Sequence, residues 1–485
     1  MEEILLPAAK REKKIWWEVG SGGRFMEELK KVSFMALPMV VFTVSQFLPQ
    51  VVSIMMAGHL GELSLSGATI AASFADVTGF SLLIGMAGAL ETLCGQSYGA
   101  EQYEKFGNYT LCSIISLVLV CLPITLIWTY MNKLLIVFGQ DPQISQVAGK
   151  YCICLIPALF GYAILQSLVR FFQAQSLILP MLTSSCSVLV LHIPLCWALV
   201  FKLQLGNTGA ALAIGISYWL NVVFLGFYMN YSKACEKTRV RFTKEAFIHI
   251  PEFVRFAIPS AIMVCLEYAS FELLVFLSGF LPNAELEASV LSICLTTTTL
   301  HFYIPYGIGA AASTRVSNEL GAGKSEAAQI AVVAVAVLAL AEATISTAFL
   351  FCSRHVLGYA YSNEKEVLDY VTKMVPLLCL SIGLDSVVGV LSGVARGSGW
   401  QDIGAYVNLG SYYAVGLPLS ALLGFVLKLR GKGLWIGILT GTALQAIFLT
   451  RITLFTNWQK QVLITIPLFL FIISLMFAFL KKPYK

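Results

Sequence analysis

Glu267 and Asp385 are carboxylic acids set in stretches of sequence that are otherwise apolar. Burial in a low-dielectric medium disfavours the charged form of a carboxyl, so such a group can hold a proton near neutral pH and release it when its surroundings change. Four further acids share that setting: Asp76, Glu91, Glu272 and Glu342. No Lys or Arg is placed comparably deep, since Arg170, Arg315 and Arg396 fall near the ends of their stretches. An interior lined by acids without basic partners attracts protons and cations. Glu267 is about 13 residues into its stretch, roughly 20 Å along a helix and near the middle of a bilayer. The plain structural reading of Glu267 is a neutral acid hydrogen-bonded to a neighbouring helix. Asp385 is followed by Gly389 and Gly393, whose four-residue spacing permits close helix packing but leaves the acid unexplained. Glu272, five residues after Glu267, points to a different helix face. Glu91 reads as a gating or capping group, and Glu342 as an isolated structural one.

The two halves of the chain overlay. A shift of 221 residues carries Pro38 onto Pro259, Gly58 onto Gly279 and Gln46 onto Glu267. A shift of 222 carries Gly99 onto Gly321, and one of 224 carries Pro194 onto Pro418 and Gly209 onto Gly433. One copy therefore has an amide where the other has an acid, a duplicated scaffold with one ionisable half. Pro38 and Pro259 remove a backbone hydrogen bond from the first helix of each half, which makes them candidate hinges or static kinks.

These residues need a membrane scaffold to position them. Hydrophobic residues form 58% of the 485 residues, charged residues 12%, and the mean hydropathy is +0.79. That exceeds what the interior of a soluble domain can use. Runs long enough to cross a bilayer occur near 32–55, 68–93, 108–131, 147–168, 181–201, 208–230, 252–280, 287–312, 326–351, 367–392, 404–427 and 432–455. The expected fold is an all-α polytopic membrane protein with twelve transmembrane helices in two pseudo-symmetric six-helix lobes. Residues 1–31 form an N-terminal segment, 32–232 the first lobe, 233–251 the connecting loop, 252–458 the second lobe, and 459–485 an apolar tail. The run Val462 to Leu480 reads as a thirteenth helix whose topology stays open.

Basic residues set the orientation. Lys10, Arg11, Lys13, Lys14, Arg24, Lys30 and Lys31 precede the first span, and Lys233, Lys237, Arg239, Arg241 and Lys244 lie between the halves. Both segments are expected on the cytoplasmic side, so the net charge of +5 reflects topology rather than nucleic-acid binding. No cleavable signal-peptide pattern precedes the first span. The sequons at Asn108 and Asn230 would then face the cytoplasm unused.

Other chemistry is poorly supported. The twelve cysteines lie mostly within spans and show no metal-binding spacing. No two of the five histidines, His59, His192, His249, His301 and His355, pair at the spacing of a helical metal site, and His301, after four consecutive threonines, is the one placed to face a cavity. There is no HExxH, two-aspartate metal motif or GxSxG, so an enzyme is not expected, and no repeated pore loop suggests a channel.

Four segments together resemble the plant multidrug and toxic compound extrusion (MATE) transporters, detoxification-protein branch. They are residues 88–100, with Glu91, Gly95, Gln96, Tyr98 and Gly99; Cys265, Glu267 and Tyr268 with Glu272; Arg315, Asn318, Glu319, Gly321 and Gly323; and Gly393, Arg396, Gly399, Trp400 and Gln401. The resemblance covers roughly residues 30 to 458. It implies two lobes in a V, exchange of protons for organic substrate by alternating access, and proton binding at Glu267 and Asp385 near Asn408 and Tyr412. It also implies bending of the helix that contains Pro259. Two features depart from the pattern: the tail is more apolar, and Asp76 stands where an Asn is expected, adding a cation contact in the first lobe. Gln46, Asp76, Glu272, Asn408, Tyr412 and His301 are the expected cavity residues. No cofactor is expected beyond the coupling proton. The expected partners are cationic or amphiphilic small molecules and the lipid bilayer, with the chain acting as a monomer in the plasma membrane or, alternatively, the vacuolar membrane. Sodium coupling and a lipid-linked substrate flippase of the same superfamily are the competing readings.

Overall fold

The computed structural model describes residues 23–240, 244–361 and 364–465. Lys10, Arg11, Lys13, Lys14, Arg241 and the apolar run beyond Thr465 lie outside the described residues. The first half supplies α1 (Gly23–Gly58), α2 (Glu62–Gly99), α3 (Tyr103–Thr129), α4 (Pro142–Ala174), α5 (Ile178–Lys202) and α6 (Gly206–Tyr231). The second supplies α7 (Ile250–Ser278), α8 (Ala284–Gly321), α9 (Ser325–Cys352), α10 (Lys365–Ser398), α11 (Gln401–Val426) and α12 (Arg430–Phe455). A short α13 (Trp458–Thr465) begins the tail, and Trp458 packs against Trp400. Apolar helices that satisfy their own backbone are what a bilayer permits. Eleven of the twelve long helices are apolar enough to cross a membrane. The exception, α8, carries Glu287, His301, Arg315 and Glu319, because much of it faces protein.

Local chemistry sets the helix ends. Asp141 caps α4 by accepting from the backbone N–H of Gln143 at 2.8 Å and of Ile144 at 3.1 Å, with Pro142 at the first helical position. The end of α5 and the end of α11 are widened turns, Ala198–Lys202 and Leu422–Val426, each starting four residues after its proline, Pro194 or Pro418. A proline cannot donate its backbone hydrogen bond, and a wider turn accommodates the mismatch. The backbone that follows repeats as well: Gln204 and Lys428 both have φ 55°, and Gly206 and Arg430 have φ 58° and 54°. The offset of 224 residues read from the prolines thus relates backbone features of the two lobes.

One end of the interlobe contact is sealed. A Cβ on Gly99 would sit 2.0 Å from the carbonyl oxygen of Asn318, and one on Gly321 would sit 2.1 Å from that of Gln96. These mates under the 222-residue shift let the ends of α2 and α8 cross with their backbones touching. Gly309 makes a similar approach to Gly389 and Gly393, binding α8 to α10 as the four-residue glycine spacing suggests. Glu28 of α1 holds Arg315 of α8 at 2.7 Å. The main apolar core runs through the first lobe and this sealed end, and a smaller one around Trp435, Leu378 and Leu434 fills the far part of the second lobe.

Candidate functional site

Beyond the sealed end the lobes part around a cleft enclosing about 1590 Å³ of space, some of it open to solvent. Its walls come from α1, α2, α4, α6, α7, α8 and α10. They carry four acids, Asp76, Glu267, Glu272 and Asp385, among the rings of Phe47, Tyr162, Tyr218, Tyr268, Tyr303 and Tyr306. Gln46 also lines the cleft, and its buried Nε2 has no hydrogen-bond partner among the described residues. Asp76 begins a widened turn, Asp76–Phe80, within α2, and its Oδ2 accepts from Gln50 Nε2 at 2.8 Å. Such turns redirect side chains and are frequent at functional sites.

Glu267 is held from behind by amides. Its Oε2 lies 3.4 Å from Asn408 Nδ2 and 3.4 Å from Gln445 Nε2. Gln445 donates to Asn408 Oδ1 at 2.7 Å and accepts from the Tyr412 hydroxyl at 2.6 Å, while Asn408 donates to the Met263 carbonyl at 2.8 Å. Asn408 leads into the widened turn Leu409–Gly416 of α11, which contains Tyr412. Asn408 and Tyr412 therefore support Glu267 from a second layer rather than lining the cleft. Gln445 and Thr442, which contacts Tyr412 at 3.4 Å, are members that sequence reasoning missed. Asp385 lines the same cleft as Glu267.

Two expected placements need correction. His301 does not line the cleft: its Nε2 is 2.8 Å from Glu342 Oε1, so Glu342 is not isolated either. The acids are also not all without basic partners. Glu91, with a fully buried side chain, lies 3.1 Å from Arg170 and 3.0 Å from Arg396. Arg170 reaches the cleft floor, where it donates to the Tyr306 hydroxyl at 2.6 Å. Thr92 donates to the Arg396 carbonyl and accepts from Gln401 at 2.6 Å. Glu91, Arg170 and Arg396 join α2 and α4 of the first lobe to α10 of the second, making an ionic tie under the cleft. Sequence spacing hides it because Glu91 and Arg396 are 305 residues apart. Pro38 and Pro259 both lie inside unbroken helices, α1 and α7. Asn108 is buried in α3 and unavailable to a glycosylating enzyme in this fold.

The MatE family profile matches residues 38–198 and 259–422, most of both lobes. Protein DETOXIFICATION 14 of Arabidopsis thaliana is 55% identical over 460 residues, which cover 95% of this chain and 94% of the relative.

This chain belongs to the MatE family.

Protein DETOXIFICATION 8 of the same plant is 56% identical over 436 residues, 90% of each chain. The crystal structure of the eukaryotic MATE transporter AtDTX14 superposes with a TM-score of 0.89 at 56% identity, covering 91% of this chain and 99% of that one. An outward-facing multidrug resistance MATE family transporter of the MOP superfamily shares the fold at 16% identity, with a TM-score of 0.80 over 90% of this chain and 96% of that one. The MatE chain described here is thus an all-helical, multi-pass membrane transporter of the multidrug and toxin efflux type, not an enzyme. Transporters of this family sit in the lipid bilayer and handle small organic substrates.

Proposed function

We propose that this transporter exports organic molecules in exchange for protons, by alternating access of its two lobes, with Glu267 and Asp385 as the proton-binding groups. The observation that carries this reading is the setting of Glu267: an acid on the cleft wall whose carboxylate meets two side-chain amides and, among the described residues, makes no ion pair with a Lys or Arg. Amides can donate to the ionised carboxylate or accept from the protonated one, so both states find partners. Proton and substrate then need only favour opposite arrangements of the lobes to be exchanged. Acids among tyrosine rings suit cationic or amphiphilic substrates, which gain from both charge and ring faces. Pro259 lies eight residues before Glu267 on α7, about two turns away, and is the hinge we assign to the movement. Basic residues such as Lys30, Lys31, Lys233 and Lys237 orient the sealed end toward the cytoplasm, with the plasma membrane as the site of action and a monomer as the working unit.

Vesicles reconstituted with the full chain and loaded with a proton gradient test the mechanism, using radiolabelled tetraethylammonium as the cation. Uptake should follow the proton gradient and vanish when a protonophore collapses it. Uptake that follows a sodium gradient alone would identify the wrong ion. Glycosylation at Asn230 in intact cells would invert the assigned topology.

A further inference from the structure

We propose that the floor of the cleft is an anion-accepting subsite, where the Tyr306 hydroxyl, held by Arg170, receives a carboxylate of the substrate. The inference rests on the cleft being the substrate site, and it adds to the substrate class organic cations that also carry a carboxylate.

The charges beneath the cleft do not balance. Glu91 is one carboxylate between two guanidiniums, 3.1 Å from Arg170 and 3.0 Å from Arg396. All three side chains are buried, and among the described residues neither arginine forms an ion pair with another acid. Asp76, Glu267, Glu272 and Asp385 share the cleft but stand beyond salt-bridge distance of both. Arginine stays protonated in a protein, so the cluster with its carboxylate ionised holds one positive charge in excess. A buried charge without a counter-charge is costly. Two of its N–H groups are also unmet: Arg170 Nε and Arg396 Nη2 are buried and find no hydrogen-bond partner among the described residues. Both guanidiniums stand over the ring of Tyr306, 6.0 Å and 5.6 Å from its centroid.

Tyr306 turns that excess toward the open space. It belongs to α8, is half-buried, and lines the cleft together with Arg170 and Gln173. Arg170 Nη2 donates to the Tyr306 oxygen at 2.6 Å, and Nη1 donates to Gln173 Oε1 at 2.6 Å. A hydroxyl that accepts from a cation directs its own hydrogen elsewhere, and the cation behind it strengthens that donation. Among the described residues no acceptor takes the Tyr306 hydrogen. Gln173 is already engaged, its Nε2 donating to the Ala310 carbonyl at 3.1 Å. The floor thus presents one O–H backed by positive charge, the setting in which an anionic acceptor binds best. A carboxylate meets both needs, since it accepts the hydrogen and neutralises the excess charge. A carboxamide of the same shape supplies an oxygen but no charge. The acids on the walls then hold the cationic end of the same molecule.

Equilibrium binding to the full-length protein in lipid nanodiscs, without any ion gradient, tests this with para-(trimethylammoniomethyl)benzoate and its carboxamide. The two probes share a cation and a ring and differ only in the anion. The carboxylate should bind the parent about tenfold tighter, and Tyr306→Phe, which keeps the ring, should bring the ratio close to one. If Tyr306→Phe inserts poorly, competition in the parent replaces it: benzoate should displace the bound carboxylate probe and benzamide should not. A carboxylate that binds or competes no better than its amide overturns the proposal, as does a preference that survives Tyr306→Phe. Carboxylate preference in a protein whose uptake ignores proton gradients would uphold the subsite and overturn the coupling reading alone. Proton-driven tetraethylammonium uptake without carboxylate preference would do the reverse.

Discussion

Each lobe holds a pair of polar side chains joining its last two helices, and only one pair reaches an acid. In the first lobe Ser184 of α5 donates to Asn221 of α6 at 2.7 Å. In the second, Gln445 of α12 donates to Asn408 of α11 at 2.7 Å. The 224-residue offset of Pro194 and Pro418 carries Ser184 onto Asn408 and Asn221 onto Gln445. The inherited framework is therefore the same, and the second copy has longer side chains that extend to Glu267. The first copy has Gln46 at the corresponding place, with an Nε2 that finds no hydrogen-bond partner among the described residues. Duplication supplied two scaffolds: an acid where the first has Gln46 makes the second ionisable, and its longer amide side chains reach that acid.

Glu267→Gln erases that difference and should have the largest functional effect. The variant keeps the shape of the neutral acid, so insertion and fold should survive. An amide cannot cycle between charge states, so proton-gradient-driven uptake should fall to the level of vesicles without a gradient. Asp385→Asn should act in the same direction, and substrate binding need not vanish in either. Wild-type coupled uptake by Glu267→Gln, at equal insertion, would reduce Glu267 to a structural hydrogen-bonding group.

The ionic tie has no second copy and predicts a stability effect instead. Glu91→Gln leaves Arg170 and Arg396 buried without a counter-charge, at 4% and 7% side-chain exposure. Losing one member of a buried pair costs about 3–5 kcal/mol. The thermal unfolding midpoint in detergent should drop markedly, and cysteines placed near the sealed end should become easier to label. An unchanged midpoint would mean that water already screens this cluster.

The amide pairs offer a finer contrast. Gln445→Leu removes the donor to Asn408 and the acceptor for Tyr412, leaving buried polar atoms unmet at about 1–3 kcal/mol. Asn221→Leu strands Ser184 at a similar cost. Stability should fall comparably, but only Gln445→Leu should shift the pH profile of transport, because only that pair touches the acid. Equal shifts from both variants would defeat the idea of one ionisable lobe.

The spans were legible because a bilayer leaves the chain few options, and α8 escaped a simple apolarity test because its polar residues face protein. Glu267, Asp385, Asp76, Glu272 and Gln46 stand on the cleft wall, where apolar context and the repeat pointed. Glu91 with Arg396, and His301 with Glu342, could not be paired from sequence, since helix contacts between remote segments carry no periodic signal. Gln445 was within reach: the proline offset that superposes α5 on α11 also leads from Asn221 to Gln445. The widened turn at Asp76–Phe80 has no proline to announce it.

The smallest expected effect concerns backbone rather than charge. Gly206 and Arg430 occupy the same left-handed turn at the head of α6 and α12, with φ 58° and 54°. Glycine adopts that region freely, whereas a side chain there costs about 1–2 kcal/mol. Arg430 also places a cation at a helix N-terminus, an unfavourable position by roughly 0.3–1 kcal/mol when exposed. Against both stands the extra freedom glycine gives the unfolded chain, about 0.5–1 kcal/mol. Arg430→Gly should therefore stabilise the second lobe by about 1 kcal/mol, and Gly206→Arg should destabilise the first by a similar amount. Thermal unfolding of the two variants should move in opposite directions, with transport unaltered in both. A loss of stability in Arg430→Gly would show that the arginine makes compensating contacts at the membrane surface, and that the two turns share geometry without sharing energetics.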